Sequence, residues 1–430
     1  MNEHPKRHIN DMTREEIASY LSRRGIAPYR AGQICSWIYR KHAATFDDMT
    51  NLSQELREQL KEHFSIVRLR EKRRITSRAD GTTKYLLRLE DRRGIESVYL
   101  PHPRGATLCV SSQVGCAFQC KICATGTRRL KRNLTPGEIV DQIRFLEEQI
   151  QSDGQIQSGK EQKGKGAVRV KRKPTPGARA FSNVVLMGMG EPFANYDNVI
   201  KAIHLMIDEM GIGSRKITVS TCGIPEKIVK FANEPFEVGL AISLNSPFDS
   251  KRKKLMPVAA KTPVKELIDA ARTYFDKKKR MLTFEYVMVE GINDRLRDAY
   301  ALTDLLKGLP AKLNLIALNP FPGSQYRPPE ASKIRKFQAM LEARGLKATL
   351  RMSKGSDILA GCGQLGLKSR KKGSDRKSRD KPAGDSKGAE SNGNRRKSDD
   401  RKSHVKKARG KKFHGKKVHG ERGHEKRRAG

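Results

Sequence analysis

Long apolar runs are missing from this 430-residue chain, and nowhere do the roughly 18 consecutive apolar residues of a membrane-spanning helix occur. Acidic residues are scarce beside basic ones, 47 against 88, which leaves a formal charge of +41. That imbalance argues against an acidic or neutral enzyme acting on small cations. It favours a polyanionic partner, most simply nucleic acid or the ribosome. The start, MNEHPKRHINDMTREE, lacks the apolar stretch of a secretory signal, so a cytoplasmic address is expected. Aromatic residues make up only 6% and Trp occurs once, yet 36% of the chain is hydrophobic, enough for a sizeable core. The seven cysteines are an odd number for a disulfide framework. Three of them fall within eight residues, which reads as metal or redox chemistry.

Charge is unevenly spread. Residues 366–430 hold 25 Lys and Arg against 8 Asp and Glu, with one Phe, two Val and one Leu. Such a composition cannot bury enough apolar surface to offset ordering, so it reads as a disordered basic tail that attracts phosphate non-specifically. Residues 151–180 hold 8 basic and 2 acidic residues between two strongly patterned stretches and read as a surface insertion. The first eighty residues read as short helices. Thr13-Arg14-Glu15-Glu16 is a capping-box pattern, and Ile17/Leu21, Ile34/Trp37/Ile38 and Leu56/Leu60/Phe64 form apolar stripes expected in the core. Tyr85 to Leu89 and Ile95 to Leu100 alternate like a strand pair, with Asp80-Gly81 as a nearby turn.

From Thr107 onward strand and helix patterns alternate. Strand-like runs occur at 107–111, 183–187, 216–220, 238–244, 282–289 and 312–317. The clearest helix opens at Thr135-Pro136-Gly137-Glu138 and carries Ile139, Ile143, Leu146 and Ile150 on one face. Six such repeats predict an α/β fold with a parallel sheet, doubly wound or curled into a full or partial barrel, with the chemistry at the C-terminal strand ends.

Cys116-Ala-Phe-Gln-Cys120-Lys-Ile-Cys123 lies in the loop after the first of these strands. Three thiolates on one tight loop can wrap an inorganic centre. A structural zinc site would normally add a fourth protein ligand, and no second C-x₂-C or close His accompanies these three. Iron–sulfur clusters are held by thiolates, usually four, so three leave one iron open to an exogenous ligand. The spacing favours the cluster over zinc.

A C-x₃-C-x₂-C loop after the first strand of a six-repeat β/α domain resembles the radical S-adenosylmethionine (SAM) superfamily. The stretch Ala106-Thr-Leu-Cys109-Val-Ser-Ser-Gln-Val-Gly-Cys116, with Met187-Gly-Met-Gly-Glu-Pro192, Asn319-Pro-Phe-Pro-Gly323 and Gly361-Cys362-Gly-Gln-Leu365, narrows this further. Together they resemble the radical-SAM methyltransferases that modify adenine C2 in 23S rRNA, some of which also modify tRNA. The resemblance spans roughly residues 13–365, without the insertion and the tail.

It implies a partial (β/α)₆ barrel, a helical RNA-binding accessory module over 1–80, a catalytic domain over 81–365, a [4Fe-4S] cluster and SAM. The cluster ligands would be Cys116, Cys120 and Cys123. Cofactor contacts would come from Gly190, Glu191, Ser220, Ser243, Leu244, Asn245 and Asn319, although the family usually has His in place of Asn245. Cys362 would be methylated by one SAM. A second would be cleaved to a 5′-deoxyadenosyl radical that takes hydrogen from the S-methyl group, and the carbon radical would add to adenine. Cys109 would then form a disulfide with Cys362 to release product. Glu96, by position an ordinary strand carboxylate, matches the family's proposed proton acceptor. The implied partners are 23S rRNA, tRNA, an electron donor and a thiol reductant, with no membrane, for a monomeric enzyme.

Two other readings remain open at this level. The sister activity at adenine C8 of the same rRNA base, which brings antibiotic resistance, shares the cluster and both cysteines. A non-catalytic RNA-binding protein with a structural cluster would cleave no cofactor. Cys35 and Cys222 match no assigned role and read as core or incidental thiols.

Overall fold

The computed structural model describes residues 6–103, 105–157 and 179–366. The basic tail from residue 367 onward and most of the insertion lie outside the described residues. Residues 151–157, read as the start of the insertion, instead continue the long helix that precedes it.

A ten-stranded sheet organises the chain, and its spatial order is its sequence order. Three antiparallel strands come first, β1 (Arg70–Thr76), β2 (Thr83–Arg88) and β3 (Gly94–His102). Seven mutually parallel strands follow: β4 (Gly105–Cys109), β5 (Asn183–Leu186), β6 (Ile217–Thr221), β7 (Gly239–Ser243), β8 (Leu282–Met288), β9 (Ala311–Ala317) and β10 (Lys347–Leu350). Strand β3 pairs antiparallel with β4 and joins the two halves. All six strand patterns expected after Thr107 are present, and β10 is a seventh parallel strand that the patterning did not single out. Its sequence, Lys347-Ala-Thr-Leu350, is too short to show a period. This is an α/β fold of six β/α units and a closing strand, carrying a helical N-terminal module.

The helices between the strands are α4 (Pro136–Gln157), α5 (Tyr196–His204), α6 (Pro225–Ala232), α7 (Asp249–Leu255), α8 (Val264–Lys278), α9 (Leu296–Leu305) and α10 (Ala331–Ala343). Helix α4 begins as its sequence predicts. Thr135 Oγ1 accepts from the Glu138 N–H at 3.2 Å, and the Glu138 carboxylate accepts from the Thr135 N–H at 3.1 Å. Ile139, Val140, Ile143 and Leu146 are fully buried against the sheet. Gln142 on the same face is also buried. Its amide oxygen accepts from Ser97 Oγ and from the Ser111 N–H, both at 2.8 Å, and its Nε2 donates to the Ser111 carbonyl at 2.9 Å. One helix side chain thus fixes β3 and the segment that leads into the cysteine loop.

The N-terminal module comprises α1 (Arg14–Ser22), α2 (Arg30–Tyr39) and α3 (Gln54–His63). Thr13 forms the expected capping box with Glu16. Ile17, Leu21, Ile34, Ile38, Leu56, Leu60 and Phe64 are buried and continuous with the main core. Trp37, expected in that core, sits only half-buried, with its Nε1 donating to Asn51 and Lys41 over its ring at 3.7 Å. The helical module is also shorter than expected. Residues 70–76, read with it, form edge strand β1, whose largely exposed, Arg-rich sequence conceals the strand period. The Asp80-Gly81 turn connects β1 to β2, with Gly81 at φ +73°.

Candidate active site

Strand β4 ends at Cys109, and the chain then runs through Ser111–Gln113 into the cysteine loop. Cys116 and Cys120 are buried and Cys123 is half-buried. Phe118, Ile122, Leu255, Met256, Val289 and Leu318 form an apolar cluster around them. The Phe118 N–H donates to Cys116 Sγ at 3.5 Å. Burial pushes the Cys116 thiol up to about 12, and the neighbouring Cys120 and Cys123 add to the shift, as expected for thiols gathered in one dry pocket. Gly126 permits the loop to close on itself, because a Cβ there would stand 2.4 Å from the Cys120 carbonyl oxygen. Among the described residues no group of three or more His, Cys, Asp or Glu is arranged to hold a single metal ion. The loop offers three thiols with no carboxylate or imidazole between them, a donor set that suits an iron–sulfur cluster.

The turn after β5 lies beside this loop. Gly190 has φ +104°, and a Cβ on it would come within 2.6 Å of the Gln113 Cβ, so the position demands glycine. The next residue, Glu191, is buried. Its N–H donates to Gln113 Oε1 at 2.9 Å, and its two carboxylate oxygens accept from the Phe193 N–H at 3.0 Å and the Cys222 N–H at 2.7 Å. Burial pushes this carboxyl up, with the two backbone donors opposing the shift. A buried, pre-formed carboxylate can receive an ammonium group.

Ser220 and Ser243 occupy the C-terminal ends of β6 and β7, both half-buried. Leu244 is fully buried, with its N–H donating to the Glu285 carbonyl at 3.1 Å. Asn245 takes a left-handed conformation, φ +57°. Its Oδ1 accepts from the Val287 N–H at 2.8 Å and its Nδ2 contacts the Met256 sulfur at 2.9 Å, so its amide is engaged at both ends within the protein. Asn319, after β9, donates from Nδ2 to the Cys362 carbonyl at 3.0 Å.

The segment 361–366 is stitched across these elements. Ala124 N–H donates to the Gly363 carbonyl at 2.6 Å, and Thr125 Oγ1 to the Leu365 carbonyl at 2.8 Å. Gln364 Nε2 donates to the Pro320 carbonyl at 2.7 Å. The Gly366 N–H donates to Glu96 Oε2 at 2.7 Å. Gly363, at φ +82°, has no room for a Cβ, which would meet the Ile122 carbonyl at 2.9 Å. Cys362 itself is exposed.

Cys109 and Cys362 line one cavity of about 280 Å³, together with Met187, Ile316, Arg351 and Met352. Met352 is 78% exposed at its rim, the most exposed large apolar side chain described. Burial pushes the Cys109 thiol up to about 12, with Cys362 adding to the effect and the Arg351 guanidinium opposing it. The structure therefore brings together Glu96, Cys109, the cysteine loop, Glu191, Asn319 and Cys362. Sequence reasoning passed over three neighbours. Lys84 stands 3.6 Å from Glu96 and donates to the Leu359 carbonyl at 2.7 Å. Burial pushes the Lys84 ammonium down, opposed by Glu96. Glu285, buried on β8, accepts from Asn314 at 2.9 Å, and Gln113 orients Glu191. All three sit mid-pattern as unremarkable polar residues of strands or loops, and only tertiary structure distinguishes them.

Comparison with known proteins agrees with this architecture. Residues 8–66 match the ribosomal RNA large subunit methyltransferase N-terminal domain, and residues 110–302 match the radical SAM superfamily. A probable dual-specificity RNA methyltransferase RlmN of Thermotoga neapolitana is 42% identical over 368 residues, 85% of this chain and 98% of the relative. The dual-specificity RNA methyltransferase RlmN of Syntrophus aciditrophicus is 41% identical over 363 residues, 84% of this chain and 97% of the relative. The crystal structure of a radical SAM methyltransferase from Sphaerobacter thermophilus superposes with a TM-score of 0.74 at 40% identity, covering 84% of this chain and 99% of the other. With both halves of the fold matched, the chain belongs to the RlmN family of radical-SAM RNA methyltransferases, which use a [4Fe-4S] cluster and SAM.

Proposed function

We infer that this enzyme methylates C2 of an adenine in the peptidyl-transferase region of 23S rRNA, and C2 of an adenine in tRNA. The observation that carries the reading is the convergence of Cys109 and Cys362 on one cavity next to the cysteine loop. Cys116, Cys120 and Cys123 hold the cluster in this reading. Gly190, Glu191, Ser220, Ser243, Leu244, Asn245 and Asn319 hold SAM, with Glu191 facing its ammonium and Asn245 contributing its backbone. Bound there, the two cofactors supply a transferable methyl group and a carbon radical able to abstract hydrogen.

Adenine C2 is electron-poor, so a methyl-cation equivalent cannot be delivered to it directly, whereas a carbon radical adds. Cys362 serves as the carrier. Its exposed sulfur accepts the methyl group, and its glycine-flanked backbone lets it present that group to the base. Glu96 accepts the proton that restores aromaticity, with Lys84 beside it to stabilise the carboxylate. After the adduct radical has given up one electron, Cys109 attacks the Cys362 sulfur, breaking its bond to the methylene carbon, which takes up a proton as the new methyl group, and leaving a disulfide. A thiol reductant returns both cysteines, and a separate donor supplies the electron for the cluster.

The module over 8–66 and the net positive surface hold the RNA, and the protein acts as a monomer in the cytoplasm. No helix among the described residues is long and apolar enough to cross a membrane. Mass spectrometry of rRNA and tRNA fragments methylated by the reconstituted enzyme tests the reading. A 2-methyladenine product is expected. An 8-methyl product would establish the resistance-type activity instead, and SAM left uncleaved under anaerobic reduction would leave only an RNA binder.

A further inference from the structure

Cys222 matches no role in the sequence pattern, yet its Sγ lies 3.9 Å from the Sγ of Cys120, 102 positions away in the chain. Both sulfurs are presented by anchored backbone. Cys222 N–H donates to Glu191 at 2.7 Å, and the Cys222 carbonyl accepts from the buried Arg252 guanidinium, which also donates to the Ala259 carbonyl at 2.8 Å. On the other side the Lys121 N–H donates to the Leu255 carbonyl at 2.8 Å, and Gly126 packs directly on the Cys120 carbonyl. Cys120 is buried, whereas Cys222 is partly buried.

Two sulfurs at this separation are in van der Waals contact. To bond, they would have to close from 3.9 Å to the ~2.05 Å of a disulfide. We propose that Cys120 and Cys222 form a reversible disulfide whenever the loop has lost its cluster, a lock that protects one cluster ligand from irreversible oxidation. The proposal rests on the assignment of Cys120 as a ligand, since a ligating sulfur is committed and cannot pair.

The oxidant is a low-molecular-mass disulfide, RSSR. The more accessible Cys222, as thiolate, attacks one RSSR sulfur to give Cys222–S–SR. The departing RS⁻ takes up the proton that Cys222 lost. Cys120 then attacks the Cys222 sulfur, expelling the second RS⁻, which takes the proton of Cys120. The two protein thiols give up two electrons and two protons, and RSSR becomes two RSH. A dithiol reductant reverses the sequence. Locked in this way, Cys120 stays off the path to sulfinic and sulfonic acids, which thiols cannot reduce.

The test uses the full-length protein, stripped of iron anaerobically, treated with oxidised glutathione, alkylated and mapped by mass spectrometry. A Cys120–Cys222 linked peptide, lighter by two hydrogens and abolished by dithiothreitol, is expected as the main form of Cys120. After a peroxide challenge and dithiothreitol, the wild-type protein should take up a full cluster again from iron and sulfide. Cys222→Ala and Cys222→Ser, which load normally before the challenge, should lose most of that capacity and show sulfonic acid at Cys120. Pairing of Cys120 with Cys116 or Cys123 instead, or equal recovery by the variants, overturns the lock. A Cys120→Ala protein that still binds a full cluster overturns the ligand assignment beneath it, an outcome distinct from a missing linked peptide.

Discussion

Glu96 on β3 accepts the backbone N–H of Gly366 at 2.7 Å, tying the strand that carries the proposed base to the segment that carries the methyl acceptor. The two are 270 positions apart. A carboxylate in that position has two tasks, holding the segment and taking a proton, and a substitution can separate them.

Glu96→Gln retains an acceptor oxygen for Gly366 but removes the basic group. Folding, cluster content and SAM cleavage should remain near wild-type values. Methylated RNA should fall by roughly 10²–10⁴-fold, the usual contribution of a positioned base. Single-turnover assays with radiolabelled SAM measure this, and a loss of only a few-fold would assign Glu96 to positioning alone.

In the proposed mechanism release of product depends on the Cys109 thiol, which burial raises to about 12. Below that value the reactive thiolate fraction grows about tenfold per pH unit. If Cys109 attack limits release, its rate should climb between pH 7 and 10 without a plateau at the ordinary thiol range, and Arg351→Met should slow it further by removing the opposing cation. Quench-flow analysis of RNA freed from the protein provides the readout, with Cys109→Ala expected to keep RNA bound covalently at Cys362. The same shift has a stability consequence. The folded state keeps its proton where the unfolded thiol has lost it, so this group favours the unfolded state as pH rises from about 9 to about 12.

Gly190→Ala places a Cβ against Gln113 at φ +104°. The strain should cost about 1–3 kcal/mol and displace Glu191, so thermal unfolding should drop by several degrees and SAM binding should weaken. Unchanged melting with unchanged SAM affinity would show that the turn adapts.

A chain ending at Leu367 lacks all 25 basic residues of segment 366–430. It should bind RNA more weakly, with a shallower dependence on salt, while turnover at saturating RNA stays the same. Binding measured at two salt concentrations checks this, and an equal slope would deny the tail a role in RNA affinity.

Much of this site was legible in sequence because its chemistry uses rare residues at fixed spacing. Cys116, Cys120 and Cys123 announce themselves, and the six strands after Thr107 follow from hydrophobic period. Edge strand β1 was hidden because its Arg-rich residues face water and carry no apolar period. Lys84, Gln113 and Glu285 were hidden for a different reason: each acts through a partner 12 or more residues away that no local pattern encodes. Cys222 belongs with them, its meaning residing entirely in the sulfur it faces.

The stitching of residues 361–366 onto the cysteine loop also bears on timing. A polypeptide is made from its N-terminus, so the sheet and the loop can be in place before Cys362 has been synthesised. The hydrogen bonds from Ala124 and Thr125 to Gly363 and Leu365 can therefore form only after that segment has been made. A chain that ends before Cys362 would hold the cysteine loop without the proposed methyl acceptor.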